Sequence, residues 1–227
     1  MTYMLRVELP DRPGTLGALA SALGAEGADI LSVDVVERSN GSAVDDLVVD
    51  MPTSRPPDVL ITAAESVRGV VVESVRPFSG QLDTTRELEL VEAIAARPDD
   101  GMALLAEGVP KLFRSAWALI TEATGASDDV AEGAARAVRR VASSDAAPET
   151  EATTLTWLPL ARATTLDPNA GHGVPTAWSD LDTELAAAPL GHPMRVVVVG
   201  RPGGPAFRPS ELARLSHLAG IVATVVS

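Results

Sequence analysis

The feature that most constrains the fold is an Asn-Gly pair between two β-rich segments. Residues 30–37 and 43–50 are rich in β-branched side chains, and Ser39-Asn-Gly-Ser42 joins them. Asn-Gly is the strongest short hairpin signal, because both central residues of the favoured tight turn need a positive φ. The two segments are therefore predicted to form an antiparallel hairpin.

The segments on either side of this hairpin complete a recognisable order. Residues 4–9 alternate as a half-buried strand, with apolar side chains on one face and charged ones on the other: Leu5, Val7 and Leu9 against Arg6 and Glu8. Helices are predicted over residues 16–26 and 56–68, each ended by a glycine, and a last strand over residues 70–75. The order β-α-β-β-α-β is the ferredoxin-like plan, with both helices on one face of the sheet. The other face and an edge strand stay open, which favours contact with a second copy or with a second domain, and we expect a homodimer.

Residues 9–32 carry a family resemblance. Residues 9–16 read Leu-Pro-Asp-Arg-Pro-Gly-Thr-Leu, and residues 23–32 read Leu-Gly-Ala-Glu-Gly-Ala-Asp-Ile-Leu-Ser. This pattern resembles the ACT domain, a small amino-acid-sensing regulatory module, and the resemblance extends over residues 1–78. It implies a small regulatory ligand, usually an amino acid, bound beside the first loop at an interface between domains.

The same loop can be interpreted from its chemistry. Gly14, Thr15 and Leu16 open a helix, so their free N–H groups and the helix dipole favour an anion such as a ligand carboxylate. Asp11, and Asp29 with its neighbour Ile30 at the start of the second strand, are expected near enough to receive a ligand ammonium. The family commonly has Asn at both acidic positions. The alternative is that Asp11 is a helix cap worth about 1 kcal/mol and Asp29 a solvated strand end.

A turn-rich break at residues 77–80, Pro-Phe-Ser-Gly, divides the chain into domains 1–80 and 81–227. In the second domain, helices are predicted over residues 84–96, 102–112, 130–141 and 209–222, β segments over 115–121, 153–160 and 194–199, and loops over 143–151 and 164–173. The segments 188–191, 196–199, 207–212 and 215–219, together with Trp117-Ala-Leu-Ile120, resemble a GAF domain. The resemblance implies an α/β/α arrangement that binds a small ligand or dimerises. The fold class predicted for the whole chain is α+β.

Composition excludes several functions. With 31 acidic and 18 basic residues the net charge is −13, which disfavours nucleic acid and anionic membrane surfaces as partners. The chain has no Cys, and its three His residues are widely spaced, so we expect neither a metal site nor a cofactor. No apolar run reaches the length of a membrane span, and residues 1–10 do not read as a signal peptide, so a cytoplasmic protein is expected.

One loop resembles a catalytic motif. Arg201-Pro-Gly-Gly-Pro-Ala206 matches the loop with which acetyltransferases hold the pyrophosphate of coenzyme A. That use needs consecutive backbone N–H donors, and Pro202 and Pro205 have none. His172, His192, His217 and Lys111 show no partner that would make a catalytic group. We therefore predict a regulatory sensor without enzymatic activity, with an acyltransferase or another small-molecule enzyme as the alternative.

Overall fold

The computed structural model of the chain describes residues 1–78, 86–124, 135–149, 153–170 and 173–226. It divides into two compact units, unit 1 over Met1–Leu82 and unit 2 over Asp83–Ser227. The boundary predicted between residues 80 and 81 falls within 79–85, outside the described residues. Among the described helices, none combines the length and apolar character that crossing a membrane would require.

Unit 1 has the predicted order of elements. They are β1 (Thr2–Pro10), α1 (Thr15–Ala25), β2 (Asp29–Ser39), β3 (Ser42–Asp50), α2 (Asp58–Glu65) and β4 (Val71–Pro77). The four strands form one antiparallel sheet in the order β2-β3-β1-β4, so β2 and β4 are its edges. The ferredoxin-like prediction for this half is confirmed.

The hairpin turn between β2 and β3 forms where the Asn-Gly pair predicted it. Asn40 has a φ of 52° and Gly41 a φ of 83°, which places both residues in the left-handed region. Ser39 pairs with Ser42 at the first rung of the hairpin. This turn sets the register of both strands, because a shift by one residue would move every apolar side chain to the opposite face.

The core of unit 1 lies between the sheet and the two helices. Strand residues such as Leu5 and Leu47, which face each other across β1 and β3, pack with Leu19 and Leu23 of α1 and Leu60 of α2. All five side chains are fully buried. Burying one leucine contributes about 1.5–3 kcal/mol, so these contacts are the main reason that α1 and α2 stay on the sheet.

The opposite face of this sheet differs from the prediction. Arg6 was expected on an open, solvated face, but its side chain is 1% exposed and forms two hydrogen bonds with Asp46 of β3. Met4, on the same face, is also buried, and the guanidinium of Arg76 contacts its sulfur. Paired charges and long side chains therefore close the centre of a face that the alternating pattern predicted to be open.

Unit 2 is built on a six-stranded antiparallel sheet in the order β7-β6-β5-β10-β9-β8. Its elements are α3 (Arg86–Ala96), α4 (Gly101–Leu112), β5 (Trp117–Ala123), β6 (Arg136–Ser143), β7 (Thr154–Leu155), β8 (Thr164–Thr165), α5 (Thr176–Ser179), β9 (Thr183–Leu190), β10 (His192–Pro202) and α6 (Pro209–Val225), with single 3-10 turns at Pro98–Asp100 and Pro168–Ala170. The prediction of an α+β fold is confirmed for the chain.

Two apolar clusters lie on the two faces of this sheet. On one face, α3, α4 and α6 supply Ile94, Val109 and Leu218, which pack against strand residues such as Ile120 and Val197. On the other face, a covering segment that includes the short helix α5 contributes side chains to a second cluster: Leu155, Leu158, Leu160, Leu166 and Trp178. The central strand β10 is therefore buried on both faces, as its unbroken apolar run predicted.

The helix predicted over residues 130–141 is wrong where the structure describes it. Residues 136–143 form β6, which pairs with β5, and residues 130–134 lie outside the described residues. Arg136 and Val138 are buried while Ala137 and Arg139 are exposed, which is the alternation of a strand. The sequence also predicted no strand at Thr183–Leu190, where β9 lies between β10 and β8.

Candidate functional site

Strand register gives the sheet of unit 1 two distinct ends. Pro10 and Ser39 both pair with Ser42, next to the Asn-Gly turn, and we call this the hairpin end. Thr2 and Asp29 both pair with Asp50, and we call this the opposite end. The nine residues of β1 separate the two ends by about 25 Å, at roughly 3.3 Å per residue.

Asp11, Gly14, Thr15 and Leu16 all follow β1 at the hairpin end. The N–H of Asp11 donates to the carbonyl of Gly41 at 2.9 Å, which ties this loop to the hairpin turn. Gly14 is the residue before α1, with a φ of 92° that favours glycine, and no side chain caps the helix. The alternative in which Asp11 caps α1 is therefore wrong.

The N-terminus of α1 has backbone N–H groups that no acceptor in the described ranges satisfies. The N–H of Thr15 donates to Arg12 and that of Ala18 to Gly14, whereas the N–H groups of Leu16 and Gly17 have no acceptor among the described residues. The first turn of α1 contains no acidic residue. Because these N–H groups lie at the positive end of the helix dipole, they favour a carboxylate or another small anion.

Two arginines add positive charge at the hairpin end. Arg12 belongs to the loop before α1, and Arg38 is the next-to-last residue of β2. Both side chains are exposed, and neither guanidinium forms a hydrogen bond or ion pair within the described part of the chain. Sequence reasoning did not assign them to the site, although Arg12 stands inside the motif that pointed to it. They offset the repulsion that acidic residues would exert on a ligand carboxylate.

Asp29 and Ile30 do not lie near the loop within one chain. The prediction that Asp29 is close to Asp11 is wrong, because α1 runs back along the sheet and β2 starts at the opposite end. Asp29 pairs with Asp50 there, about one strand length away from Asp11. The structure thus brings together the four loop residues and separates them from the two strand residues.

The structure shows one further candidate residue, Asp45 of β3, which lies three residues from Ser42 at the hairpin end. Asp45 lies between Val7 and Val35 in the register, on the face that carries the helices. Its side chain is 4% exposed, and its Oδ1 atom is buried without a hydrogen-bond partner. Burial raises the pKa of this carboxyl; the charge of Arg38 opposes the rise, and the charges of Asp11 and Asp46 add to it. The sequence does contain a signal for this residue, because two adjacent acids, Asp45 and Asp46, interrupt an otherwise apolar strand. Since neighbouring side chains in a strand point to opposite faces, one of the two had to lie on the buried face.

In unit 2, the loop that resembles a coenzyme A site is held by Arg201. Its side chain is 1% exposed, bonds the carbonyls of Phe113 at 2.6 Å and Pro205 at 3.0 Å, and pairs with Glu211 at 2.7 Å. The guanidinium also lies 4.0 Å from the centre of the Phe207 ring. These contacts fix the connection from β10 to α6.

The remaining candidate groups of unit 2 are dispersed. His217 is exposed on α6, and His192 accepts a hydrogen bond from the N–H of Met194 at 3.2 Å. Lys111 is exposed in the last turn of α4, and His172 lies outside the described residues. Over the described ranges, no group of three or more His, Asp or Glu residues could hold a metal ion.

Comparison with known protein families gives a match within the first unit. Residues 3–69 match the model of the ACT domain family. This range includes the loop, the hairpin end and the edge strand β2. No curated protein matches the chain.

Solved structures show distant likenesses. A GAF domain of an Acinetobacter phosphoenolpyruvate-protein phosphotransferase is 12% identical, with 64% of this chain and 94% of that one covered and a TM-score of 0.43. An unknown protein from Galdieria sulphuraria is 18% identical, with coverage of 57% and 74% and a TM-score of 0.31. A formyltetrahydrofolate deformylase from Pseudomonas putida KT2440 is 12% identical, with coverage of 42% and 38% and a TM-score of 0.29. A GAF domain is also what the sequence of the second half resembles, and nothing about the fold, ligand or activity of this chain follows from these structural likenesses.

Proposed function

From the match of residues 3–69 to the ACT domain family, we propose that the protein is a regulatory sensor that binds a free amino acid. The family supports a small regulatory ligand. The observation that carries the choice of an amino acid is the open N-terminus of α1, with unbonded N–H groups on Leu16 and Gly17. It would take the ligand carboxylate, and an acidic side chain close to it would take the ligand ammonium.

We propose that a second copy of the chain completes the site. β2 is an edge strand, 11 residues long, and Val35 within it is 50% exposed. If two β2 edges pair antiparallel about a twofold axis, the start of one β2 lies beside the end of the other. Asp29 and Ile30 of the second copy would then reach the hairpin end, where Asp11 lies. This arrangement agrees with the predicted homodimer and brings every residue of the predicted site to one ligand.

For unit 2 we propose a binding or dimerisation role without catalysis, in a protein that acts in the cytoplasm. The contacts of Arg201 support a structural role for the one loop that resembled an acyltransferase, since its guanidinium already bonds the chain on both sides. Acetyl-CoA offered with a panel of amines and amino acids should therefore release no free thiol.

The ligand is tested by thermal shift and calorimetry on the full chain with each of the twenty proteinogenic amino acids. A ligand of this size makes few contacts, so we expect a Kd from micromolar to millimolar. Thr15→Asp places a carboxylate in the first turn of α1, where it should repel the ligand while suiting the helix dipole. Thr62→Asp makes the same charge change on the exposed face of α2 and is the matched control.

Binding that is lost in Thr15→Asp and kept in Thr62→Asp supports the site. Failure of all twenty amino acids to bind would contradict the proposal. The dimer is tested separately by light scattering, where Val35→Lys at the β2 edge should shift a dimer towards monomer. A wild-type protein that is strictly monomeric at micromolar concentration would contradict the shared site.

A further inference from the structure

We propose that Asp45 binds the ammonium group of the ligand, beneath the anion site at the N-terminus of α1. The inference rests on the amino-acid site proposed above and names the group that makes it selective for amines. It adds a residue outside the motif that carries the family resemblance. Two independent observations support it: the position of Asp45 in the sheet and the lack of a partner for its buried oxygen.

The position follows from the register. Val7 pairs with Asp45, and three residues later Pro10 pairs with Ser42 and leads into the loop. α1 begins at the hairpin end and runs back over the same face of the sheet, so its first turn, about 5.4 Å long, lies at the level of Val7 to Leu9. The register thus places Asp45 on the helix face of the sheet, at about the level along β1 where the first turn of α1 lies. The influence of Asp11 on its pKa supports this closeness.

Because the buried oxygen of Asp45 has no hydrogen-bond partner among the described residues, a bound cation would stabilise the charged carboxylate. A buried carboxylate without hydrogen bonds is costly, and a paired one is not. Arg38 is the cation that acts on Asp45, and it is exposed and too distant for an ion pair. Because only 4% of Asp45 is exposed, the group that reaches it must be as compact as an ammonium.

Asp11 is less suited to this role. Its side chain is exposed, so it keeps its hydration, and a charge in water contributes little to binding. Asp45 is largely shielded, so an ammonium that reaches it gains a charge-assisted hydrogen bond in a site with little water. The carboxylate and ammonium of one amino acid would then be held by α1 and β3 respectively.

The experiment compares Asp45→Asn with Asp58→Asn, a matched control at the exposed start of α2. The probes are the twenty proteinogenic amino acids, each paired with its N-acetyl derivative, which keeps the carboxylate and lacks the ammonium. For every amino acid that binds the wild type, Asp45→Asn should weaken binding by about ten- to a hundredfold and remove most of the preference over the acetylated form. Asp58→Asn should stay within about twofold of the wild type.

A pH series adds a readout that a structural role would not change. The charged groups that act on Asp45 are Arg38 from β2, Asp11 from the loop and Asp46, its neighbour on β3, which points to the opposite face of the sheet. Wild-type affinity should fall as Asp45 is protonated at a pH above the usual range for an aspartate, and Asp45→Asn should abolish this fall while Asp11→Asn keeps it. Asp45→Ser and circular dichroism of both variants show whether a loss comes from unfolding.

The two proposals fail in different ways. If no amino acid binds the wild type, the proposed function fails, and this inference with it. If amino acids bind and Asp45→Asn leaves their affinity and their preference over the acetylated forms unchanged, the assignment of Asp45 alone is overturned.

Discussion

The buried pair of Arg6 and Asp46 allows a quantitative test of unit 1. Arg6 Nε lies 2.7 Å from Asp46 Oδ1, and Arg6 Nη2 lies 2.8 Å from Asp46 Oδ2. Both side chains are 1% exposed. The perturbation is Arg6→Met, which keeps most of the length of the side chain and removes the guanidinium, alone and together with Asp46→Leu.

The size of the effect follows from what each variant leaves buried. Arg6→Met leaves the carboxylate of Asp46 without this guanidinium, and breaking a buried ion pair from one side costs about 3–5 kcal/mol. Asp46→Leu alone leaves the guanidinium without this carboxylate and should cost a similar amount. The double variant buries two apolar side chains, and replacing a whole buried pair by apolar groups is often neutral or stabilising. The double variant should therefore be about as stable as the wild type.

Hydrogen exchange measured by mass spectrometry can follow unit 1 within the full chain. In peptides that cover β1 and β3, a decrease of about 3 kcal/mol in the free energy of opening raises the population of the open form by more than about a hundredfold. Peptides from β10 of unit 2 serve as the internal reference. The reasoning is refuted if Arg6→Met changes the opening free energy by less than about 1 kcal/mol, or if the double variant loses as much as the two single variants combined.

Three further changes in unit 2 have effects that intrinsic tryptophan fluorescence can follow during urea unfolding. Gly200→Ala should destabilise by about 1–3 kcal/mol or more, because a Cβ there would lie 2.0 Å from Cε2 of the buried Trp117 ring; a loss under about 0.5 kcal/mol would contradict this packing. Gly220→Ala should stabilise by about 0.5–1 kcal/mol, since nothing lies within 4 Å of the added Cβ in helix α6, and a destabilised variant would show that the site is crowded. Burial acts to raise the pKa of Glu122, but the hydrogen bonds and charges of Arg195 and Arg139 together outweigh it and hold that pKa below its usual value. The stability gained from this lowered pKa is therefore present above the unfolded-state pKa of about 4.3 and is lost as the pH falls through the folded-state pKa, and Glu122→Gln should remove that part of the pH dependence.

Local signals were sufficient for the fold of unit 1. The Asn-Gly turn needs two residues at positive φ, and few other residues adopt that conformation readily, so the hairpin could be located from two letters. Prolines and glycines mark the ends of both helices, and Leu19 and Leu23 lie on the buried face that their spacing predicted. What the alternating pattern could not predict is the burial of Arg6, because that depends on a partner 40 residues away on another strand.

Unit 2 was predicted less completely, because two of its strands depend on their neighbours. β6 carries apolar side chains at a spacing that also fits a helix, and pairing with β5 decides in favour of the strand. β9 reads Thr-Glu-Leu-Ala-Ala-Ala-Pro-Leu, a composition that is poor in β-branched residues. It forms a strand because β10, buried on both faces, supplies hydrogen bonds along almost its whole length.

The loop residues of the candidate site could be predicted from the sequence, whereas Asp45 of β3 could not. A helix N-terminus after a glycine-containing loop can be recognised locally, and Gly14, Thr15 and Leu16 lie where the motif predicted. Asp45 could not be assigned from the sequence alone, since its interest depends on a buried oxygen without a partner. Its neighbour Asp46 has the same chemistry and the opposite environment, because it faces the guanidinium of Arg6.

The separation of Asp11 and Asp29 links the fold to the proposed assembly. In a β-α-β unit the helix returns the chain to the start of the first strand, so a residue at the end of β1 and one at the start of β2 lie at opposite ends of the sheet. One chain therefore cannot bring both acids to a ligand a few ångströms long. A twofold pairing of β2 edges reverses one sheet relative to the other and brings the ends that carry Asp29 and Asp11 to the same side. If Asp29→Ala weakens amino-acid binding, the site is shared between copies; if it has no effect while Asp45→Asn does, a single chain holds the ligand between α1 and β3.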